Sequence, residues 1–300
     1  MSGYLSGFEP HKIDVGDGIY IMTWIKGEGE PLLMLHGNPE THLMWHRIAP
    51  QLAEQYKVIL PDLRGYGDSA HPVGDPDNAN YSKRAMAQDQ IKVMQHLGYD
   101  SFLLVAHDRG ARVAHRMMLD YPGKVKKCVI FDIAPTYDMF AKTDKLFAKT
   151  HFHWFFLTLP YELPEKLIAG NAEYYLRWQL GEFSDKAESD RIFPEEIKHE
   201  YVRTFTSPEA IHSFCQDYSA SYGIDLIHDE ADRNAKNKIK EPLLIVWGET
   251  GQLGIQFDVM KLWRAQAENV TGFSVPNCGH FIPEDAPQAA LQAIQEFLQA

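Results

Sequence analysis

Short apolar runs recur along both ends of the chain and are separated by polar stretches. Five of them lie in the first half and two near the C-terminus: Tyr20–Ile25, Leu32–His36, Tyr56–Leu60, Phe102–Ala106, Val125–Ile133, Leu243–Trp247 and Phe273–Val275. Such near-continuous apolar character is typical of strands that are covered on both faces of a sheet. The pattern therefore predicts a mostly parallel sheet flanked by helices, an α/β fold.

Amphipathic segments between these runs predict the flanking helices. They are the segment with Ala87, Ile91 and Met94, which Gly98 ends, the segment Arg109–Leu119, and the C-terminal segment with Leu291, Ile294 and Leu298. In each segment the apolar residues recur at helical spacing and so share one face. A glycine just past the last turn is a common helix end.

The stretch 137–237 interrupts the alternation of strands and helices. It is rich in aromatic and charged residues, and Pro160, Pro164, Pro194 and Pro208 separate short helical segments. We interpret it as a helical cap inserted over the carboxyl edge of the sheet. Residues 1–136 and 238–300 then form the core domain.

Composition narrows the class of protein. With 45% hydrophobic and 23% charged residues among 300, the chain can bury a large core. Its 29 basic and 41 acidic residues give a net charge of −12, which argues against a general nucleic-acid binder. The chain has no apolar run near the roughly 18 residues of a membrane span and no secretion signal. We expect a cytoplasmic protein with no cofactor, no metal, and neither nucleic acid nor membrane as a partner.

The segment Val105–Arg112 has the pattern of a catalytic turn. It follows a predicted strand, opens a predicted helix, and places Asp108 between the small residues Ala106 and Gly110. A nucleophile on a sharp strand-to-helix turn needs small residues at these positions. Asp108 is therefore a candidate nucleophile. The alternative is an aspartate that only caps the following helix.

Two further turns supply partners for a nucleophile. His36-Gly37-Asn38-Pro39 follows a strand, where the backbone N–H of Asn38 can face an oxyanion. His280 lies in the loop between the last strand and the last helix, and of the 14 histidines it has the best context for a general base. A lone loop histidine is otherwise usually a surface residue.

Taken together with Asp62–Ser69, these motifs resemble the α/β-hydrolases over essentially the whole chain. The aspartate nucleophile narrows the resemblance to the branch of dehalogenases and epoxide hydrolases. Many members carry the acid after the strand 243–247, where this chain has Gly251. The resemblance then implies that Asp132, at the end of the preceding core strand, orients His280. Glu249 is the alternative.

Two arginines indicate the substrate. Arg109 and Arg112 lie at i and i+3 beside the start of a helix, so they can face one way. Two cations at this end oppose the helix dipole unless an anion binds between them. Next to Asp108 they predict a receptor for a substrate carboxylate. The alternative is two arginines paired with the excess acidic residues.

The Asp-Arg-x-x-Arg pattern resembles the fluoroacetate dehalogenase family. That resemblance implies hydrolysis of small 2-halo carboxylates by water, such as fluoroacetate or chloroacetate to glycolate, through an aspartyl ester. It further implies a homodimer, a halide site of His153, Trp154 and Tyr218, and an oxyanion held by the backbone N–H groups of Asn38 and Arg109. The family has phenylalanine where this chain has Asn38, whose side chain is familiar from the halide site of haloalkane dehalogenases.

Three other functions stay open. An epoxide hydrolase would use the same nucleophile and base with two cap tyrosines, for which Tyr161, Tyr218 and Tyr222 are available. Asn38 favours a haloalkane dehalogenase, whereas Arg109 opposes it. A hydrolase-fold ligand receptor without turnover is the non-enzymatic alternative.

Overall fold

The computed structural model describes residues 3–300, and within them eight strands form one sheet. The strands are β1 (Glu9–Gly16), β2 (Ile19–Lys26), β3 (Glu30–Leu35), β4 (Tyr56–Pro61), β5 (Phe102–His107), β6 (Val125–Phe131), β7 (Leu243–Gly248) and β8 (Val270–Val275). Their order is β1-β2-β4-β3-β5-β6-β7-β8. The pairs β1–β2 and β2–β4 are antiparallel and all other pairs are parallel. The predicted mostly parallel sheet is thus confirmed.

Two predictions for the strands were wrong in detail. The edge strand β1 was missed because only Ile13 and Val15 along it are buried, so it has no apolar run. The run Val125–Ile133 forms a strand only as far as Phe131. Asp132 leaves the extended conformation with a left-handed φ of 49°.

Helices cover both faces of the sheet. The first three are α1 (Ala49–Leu52), α2 (Lys83–His96) and α3 (Asp108–Asp120), and two 3₁₀ turns lie at His42–Arg47 and Ala79–Tyr81. The last four are α13 (Gln252–Gln256), α14 (Val259–Gln266), α15 (Ile282–Asp285) and α16 (Pro287–Gln299). Ser82 caps α2 by accepting from the Ala85 N–H, and Gly98 follows it with a left-handed φ of 85°. The three predicted helices are confirmed.

Further helices lie between β6 and β7 in the chain, and we refer to them together as the cap. They are α4 (Thr136–Ala141), α5 (Lys145–Thr150), α6 (Phe152–Phe156), α7 (Leu163–Ala169), α8 (Ala172–Gln179), α9 (Lys186–Ile192), α10 (Glu195–Phe205), α11 (Pro208–Tyr222) and α12 (Ile224–Ala235). Apolar side chains of the cap are continuous with the core of the sheet, among them Trp154, Phe193 and Phe214. No helix in residues 3–300 combines the length and apolar character needed to cross a bilayer.

Candidate active site

Asp108 lies on a strained turn between β5 and α3. Its φ of 41° is in the left-handed region, which residues other than glycine rarely occupy. The turn is tight because Gly110 packs on β3: a β-carbon there would lie 2.4 Å from the carbonyl oxygen of His36. Gly110 is therefore small for a steric reason, and the sharp strand-to-helix turn predicted at Asp108 is present.

The Asp108 carboxylate has two different oxygens. Oδ1 accepts a hydrogen bond of 3.0 Å from the backbone N–H of Asn38. Oδ2 lies 3.8 Å from Nε2 of His280. Burial raises the pKa of Asp108, but the charges of His280 and Arg112 outweigh it and lower the pKa to about 2. The carboxylate is ionised at neutral pH, as a nucleophile must be.

His280 and Asp132 form a close pair at the end of the sheet. Nδ1 of His280 lies 2.6 Å from Oδ2 of Asp132, whose Oδ1 accepts from the Gly248 N–H at 2.9 Å. Gly251 stands where many relatives have the acid. A β-carbon at this glycine would lie 3.7 Å from the same Oδ2, so the Asp132 carboxylate lies directly beside that position. Glu249, the alternative acid, instead accepts from the backbone N–H of Asn277.

The pKa of His280 depends on the carboxylates around it. Burial lowers that pKa, but the hydrogen bond and charge of Asp132 and the charges of Asp108 and Glu40 outweigh it and raise it to about 9. In the free protein His280 is therefore protonated at neutral pH. Loss of the Asp108 charge, as in an ester, lowers the pKa and frees the ring to act as a base.

A cavity of about 290 Å³ opens above Asp108 and His280. The predicted residues that line it are Asn38, Asp108, Arg112, Asp132, His153, Trp154, Tyr218 and His280. Sequence reasoning missed other lining residues, chiefly Met139, Thr150, His151, Trp178, Gln179, Gln252 and Phe281. Most of these come from the cap, whose packing over the sheet has no local signal. Residues 3–300 contain no group of three or more ligands arranged to hold a metal.

Arg112 is a buried cation facing this cavity. Its Nη1 donates to the Ala134 carbonyl at 3.2 Å and to Oγ1 of Thr136 at 2.8 Å, and its Nε has no hydrogen-bond partner. No carboxylate in residues 3–300 forms an ion pair within 4.0 Å of its guanidinium, although the charge of Asp108 raises its pKa. Burial lowers the pKa of Arg112 to about 10, which leaves it charged at neutral pH. The charge of Asp108 partly compensates this cation, and an anion bound in the cavity compensates it further.

Arg109 lies differently from the prediction. Its Nε pairs with Oδ2 of Asp217 at 2.7 Å and its Nη2 with Oγ of Ser221 at 2.7 Å. The guanidinium stacks 4.2 Å from the ring centre of Tyr218 and does not line the cavity. A symmetrical clamp of two free arginines is thus not what the structure shows, because Asp217 neutralises one of them. Among residues 3–300, Nη1 is the nitrogen of the Arg109 guanidinium group that has no hydrogen-bond partner.

His153, Trp154 and Tyr218 meet at the cap side of the cavity. The His153 ring stands edge-on to the ring of Tyr218 at 5.5 Å, and Trp154 lies 4.7 Å from the Arg112 guanidinium. Burial lowers the pKa of His153 to about 3, so the ring is neutral. Nδ2 of Asn38 donates to Oη of Tyr218 at 3.2 Å. The Asn38 side chain therefore contacts Tyr218, one of the three residues predicted to bind halide.

Comparisons with known proteins place the chain in a family. Residues 30–287 match the alpha/beta hydrolase fold family, so the chain belongs to the α/β-hydrolases. It is 40% identical to a fluoroacetate dehalogenase of Burkholderia sp., over 97% of this chain and 94% of that one. A soluble epoxide hydrolase of Corynebacterium sp. (strain C12) is 36% identical, over 90% and 91%. A solved structure from Nostoc sp. PCC 7120 is 49% identical, with a TM-score of 0.92 over 98% of both chains.

Proposed function

We propose that this hydrolase removes halide from small 2-halo carboxylates, converting fluoroacetate or chloroacetate to glycolate. The observation that carries the proposal is Arg112, a buried cation without an ion-pair partner in residues 3–300 that faces the same cavity as Asp108. The similarity to a fluoroacetate dehalogenase supports it. Esterification of Asp108 removes a charge that partly compensates Arg112; a substrate carboxylate bound at Arg112 replaces that charge, whereas a neutral substrate does not.

In the first step Asp108 displaces the halide. The substrate carboxylate binds Arg112. Nη1 of Arg109, which has no hydrogen-bond partner in residues 3–300, is a second donor that the carboxylate could use. Oδ2 of Asp108 attacks the halogen-bearing carbon, a carbon–oxygen bond forms, and halide leaves with the bonding electrons. His153, Trp154 and Tyr218 donate hydrogen bonds to the halide, and such bonds to a charged group are worth about 1.5–3 kcal/mol each.

In the second step water cleaves the Asp108 ester. Esterification removes a charge that raises the pKa of His280, so the imidazolium releases its proton to solvent. The neutral Nε2 then takes a proton from water as the water oxygen adds to Cγ of Asp108. The backbone N–H of Asn38 lies 3.0 Å from Oδ1, where the oxyanion develops. The matching N–H of Arg109 stays a prediction. Collapse releases glycolate, whose alkoxide oxygen receives the proton from His280. The Asp108 carboxyl group then passes its proton to His280, which restores the starting charges.

An epoxide hydrolase is the second candidate, because a relative at 36% identity carries that name. Such an enzyme needs two tyrosines that donate to the epoxide oxygen. Of the three that the sequence offers, Tyr218 lines the cavity, whereas Tyr161 is 92% exposed and Tyr222 is 54% exposed. This placement favours the halo acid over the epoxide.

Halide release from matched substrates tests the proposal. The purified protein is incubated with fluoroacetate, chloroacetate, 1-chlorobutane and an aliphatic epoxide, and fluoride, chloride and diol are measured separately. We expect halide from both acids, none from the alkane, and none from any substrate with Asp108→Asn. Chloride from 1-chlorobutane but not from chloroacetate, or diol alone, would overturn the proposal, and binding without turnover would favour a receptor.

A further inference from the structure

The hydroxyl group of Tyr218 has one hydrogen-bond partner among residues 3–300. Its oxygen accepts from Nδ2 of Asn38 at 3.2 Å, and none of the described residues accepts the hydrogen that Oη itself carries. Burial raises the pKa of Tyr218 well above its usual range, so the hydroxyl group keeps this hydrogen at neutral pH. Buried donors are almost always paired, and Tyr218 is 3% exposed and lines the cavity. The unpaired hydrogen therefore indicates an acceptor that binds in the cavity.

The ring of Tyr218 is held from several sides. The Arg109 guanidinium stacks 4.2 Å from its centre, and Asp217 holds that guanidinium through the ion pair at 2.7 Å. The rings of Phe214 and His153 stand edge-on to it, at 5.2 Å and 5.5 Å between centres. These contacts fix where Oη lies, but its hydrogen can still rotate about the carbon–oxygen bond. A partner of Oη itself decides where that hydrogen points.

Asn38 is the partner that decides it. Its side chain is 7% exposed, its Nδ2 donates to Oη of Tyr218, and its Oδ1 has no hydrogen-bond partner in residues 3–300. An amide nitrogen can only donate, so it occupies a lone pair of Oη and cannot take the tyrosine hydrogen. The hydrogen is then directed away from Asn38 and toward the cavity. The phenylalanine that the fluoroacetate dehalogenase family has at this position offers no such donor.

We propose that Asn38 is a specificity-determining residue that acts through Tyr218, because its donation to Oη directs the tyrosine hydrogen to the departing halide. This role rests on the proposed release of halide from 2-halo carboxylates and names the leaving group that the site favours. Fluoride is the smallest and most basic of the halides, so it gains most from a donor that is already in place as its charge develops. The Asn38–Tyr218 pair therefore favours fluoroacetate relative to chloroacetate and bromoacetate.

Asn38→Leu tests this role, because leucine keeps the backbone N–H and nearly the same side-chain size but cannot donate. Single-turnover experiments with fluoro-, chloro- and bromoacetate measure the rate of halide release itself, since later hydrolysis of the ester does not enter. In Asn38→Leu the ratio of the fluoride rate to the chloride rate should fall about threefold to tenfold, the effect of one neutral hydrogen bond. The ratio of chloride to bromide should fall less, and it extends the test to variants whose fluoride release is too slow to measure. Chloride release by a variant also shows that it is folded.

Tyr218→Phe shows whether Asn38 acts through the tyrosine. Without the hydroxyl group, a further Asn38→Leu change should leave both ratios within about twofold of those of Tyr218→Phe alone. The same fall with and without the hydroxyl group would mean that Asn38 contacts the halide directly and would overturn the proposal. So would an unchanged ratio in Asn38→Leu, or a higher one, which would mean that the amide accepts the tyrosine hydrogen. Release of halide from none of the three acids by the parent protein would overturn the proposed function and, with it, this role.

Discussion

At the scale of the residue, the two oxygens of Asp108 have different neighbours. Oδ1 is held by the Asn38 N–H, and Oδ2 faces His280 and the cavity. The sequence indicates Asp108 and His280 because each follows a strand and lies in a recognisable motif, whereas Asp132 follows from the family resemblance and from the glycine at position 251. It does not reveal that Arg109 is neutralised, because its partner Asp217 is 108 positions away in the chain. A local pattern carries no information about such a contact.

The pKa of His280 should report the charge of Asp108. Asp108→Asn removes a carboxylate 3.8 Å from Nε2, so we expect the pKa to fall from about 9 by about one unit. NMR titration of the imidazole measures it. Glu249→Gln is the matched control and should leave the pKa unchanged. An unchanged value in Asp108→Asn would show that the two groups do not interact.

Arg112 should govern substrate affinity. Arg112→Gln removes the charged donor, and the loss of one charge-assisted hydrogen bond of about 1.5–3 kcal/mol predicts a rise in KM for chloroacetate of about tenfold to a hundredfold. Arg112→Lys keeps the charge and should recover part of the loss. Steady-state kinetics with chloride detection checks both. Equal KM in Arg112→Gln and the parent protein would exclude a carboxylate at this site.

At the scale of the element, α11 joins the cap to the core through buried charges. Asp217 on α11 pairs with Arg109 on α3 and with Lys83 on α2, and it accepts from Tyr66. All three partners are buried. The apolar runs predict the sheet and the central helices, but the cap depends on pairings like this one between distant segments. That is why its helices and lining residues were the least predictable part.

Removing Asp217 should destabilise the protein strongly. Asp217→Ala leaves Lys83 and Arg109 buried without their common counterion, which costs about 3–5 kcal/mol in the free energy of unfolding. Glu230→Ala, an exposed change on α12, should alter it by less than about 0.5 kcal/mol. Urea unfolding measures both. Similar small effects for the two variants would mean that this ionic cluster contributes little.

At the scale of the whole molecule, the sheet brings the candidate site residues of the core together at one edge. Asn38, Asp108, Asp132 and His280 come after β3, β5, β6 and β8, which run parallel and so end on the same side. The cap adds His153, Trp154 and Tyr218 from above. This division explains why the core residues follow from motifs and order along the chain, whereas the cap residues needed a family resemblance.

The homodimer implied by that resemblance is a further prediction at this scale. Apolar side chains of the cap are open to solvent, with Leu163 44% and Leu167 57% exposed on α7. Light scattering on the purified protein should give about twice the 34.3 kDa of the chain. A mass equal to one chain at micromolar concentration would contradict the dimer without affecting the proposed chemistry.

The most direct test of the proposed reaction is the intact mass of His280→Asn after incubation with chloroacetate. This variant keeps the nucleophile and Arg112 but lacks the base, so the first step should proceed and the second should stop. We predict a carboxymethyl adduct that maps to Asp108 and is absent in the double variant with Asp108→Asn. Chloride release by the parent protein without any adduct in His280→Asn would contradict the mechanism.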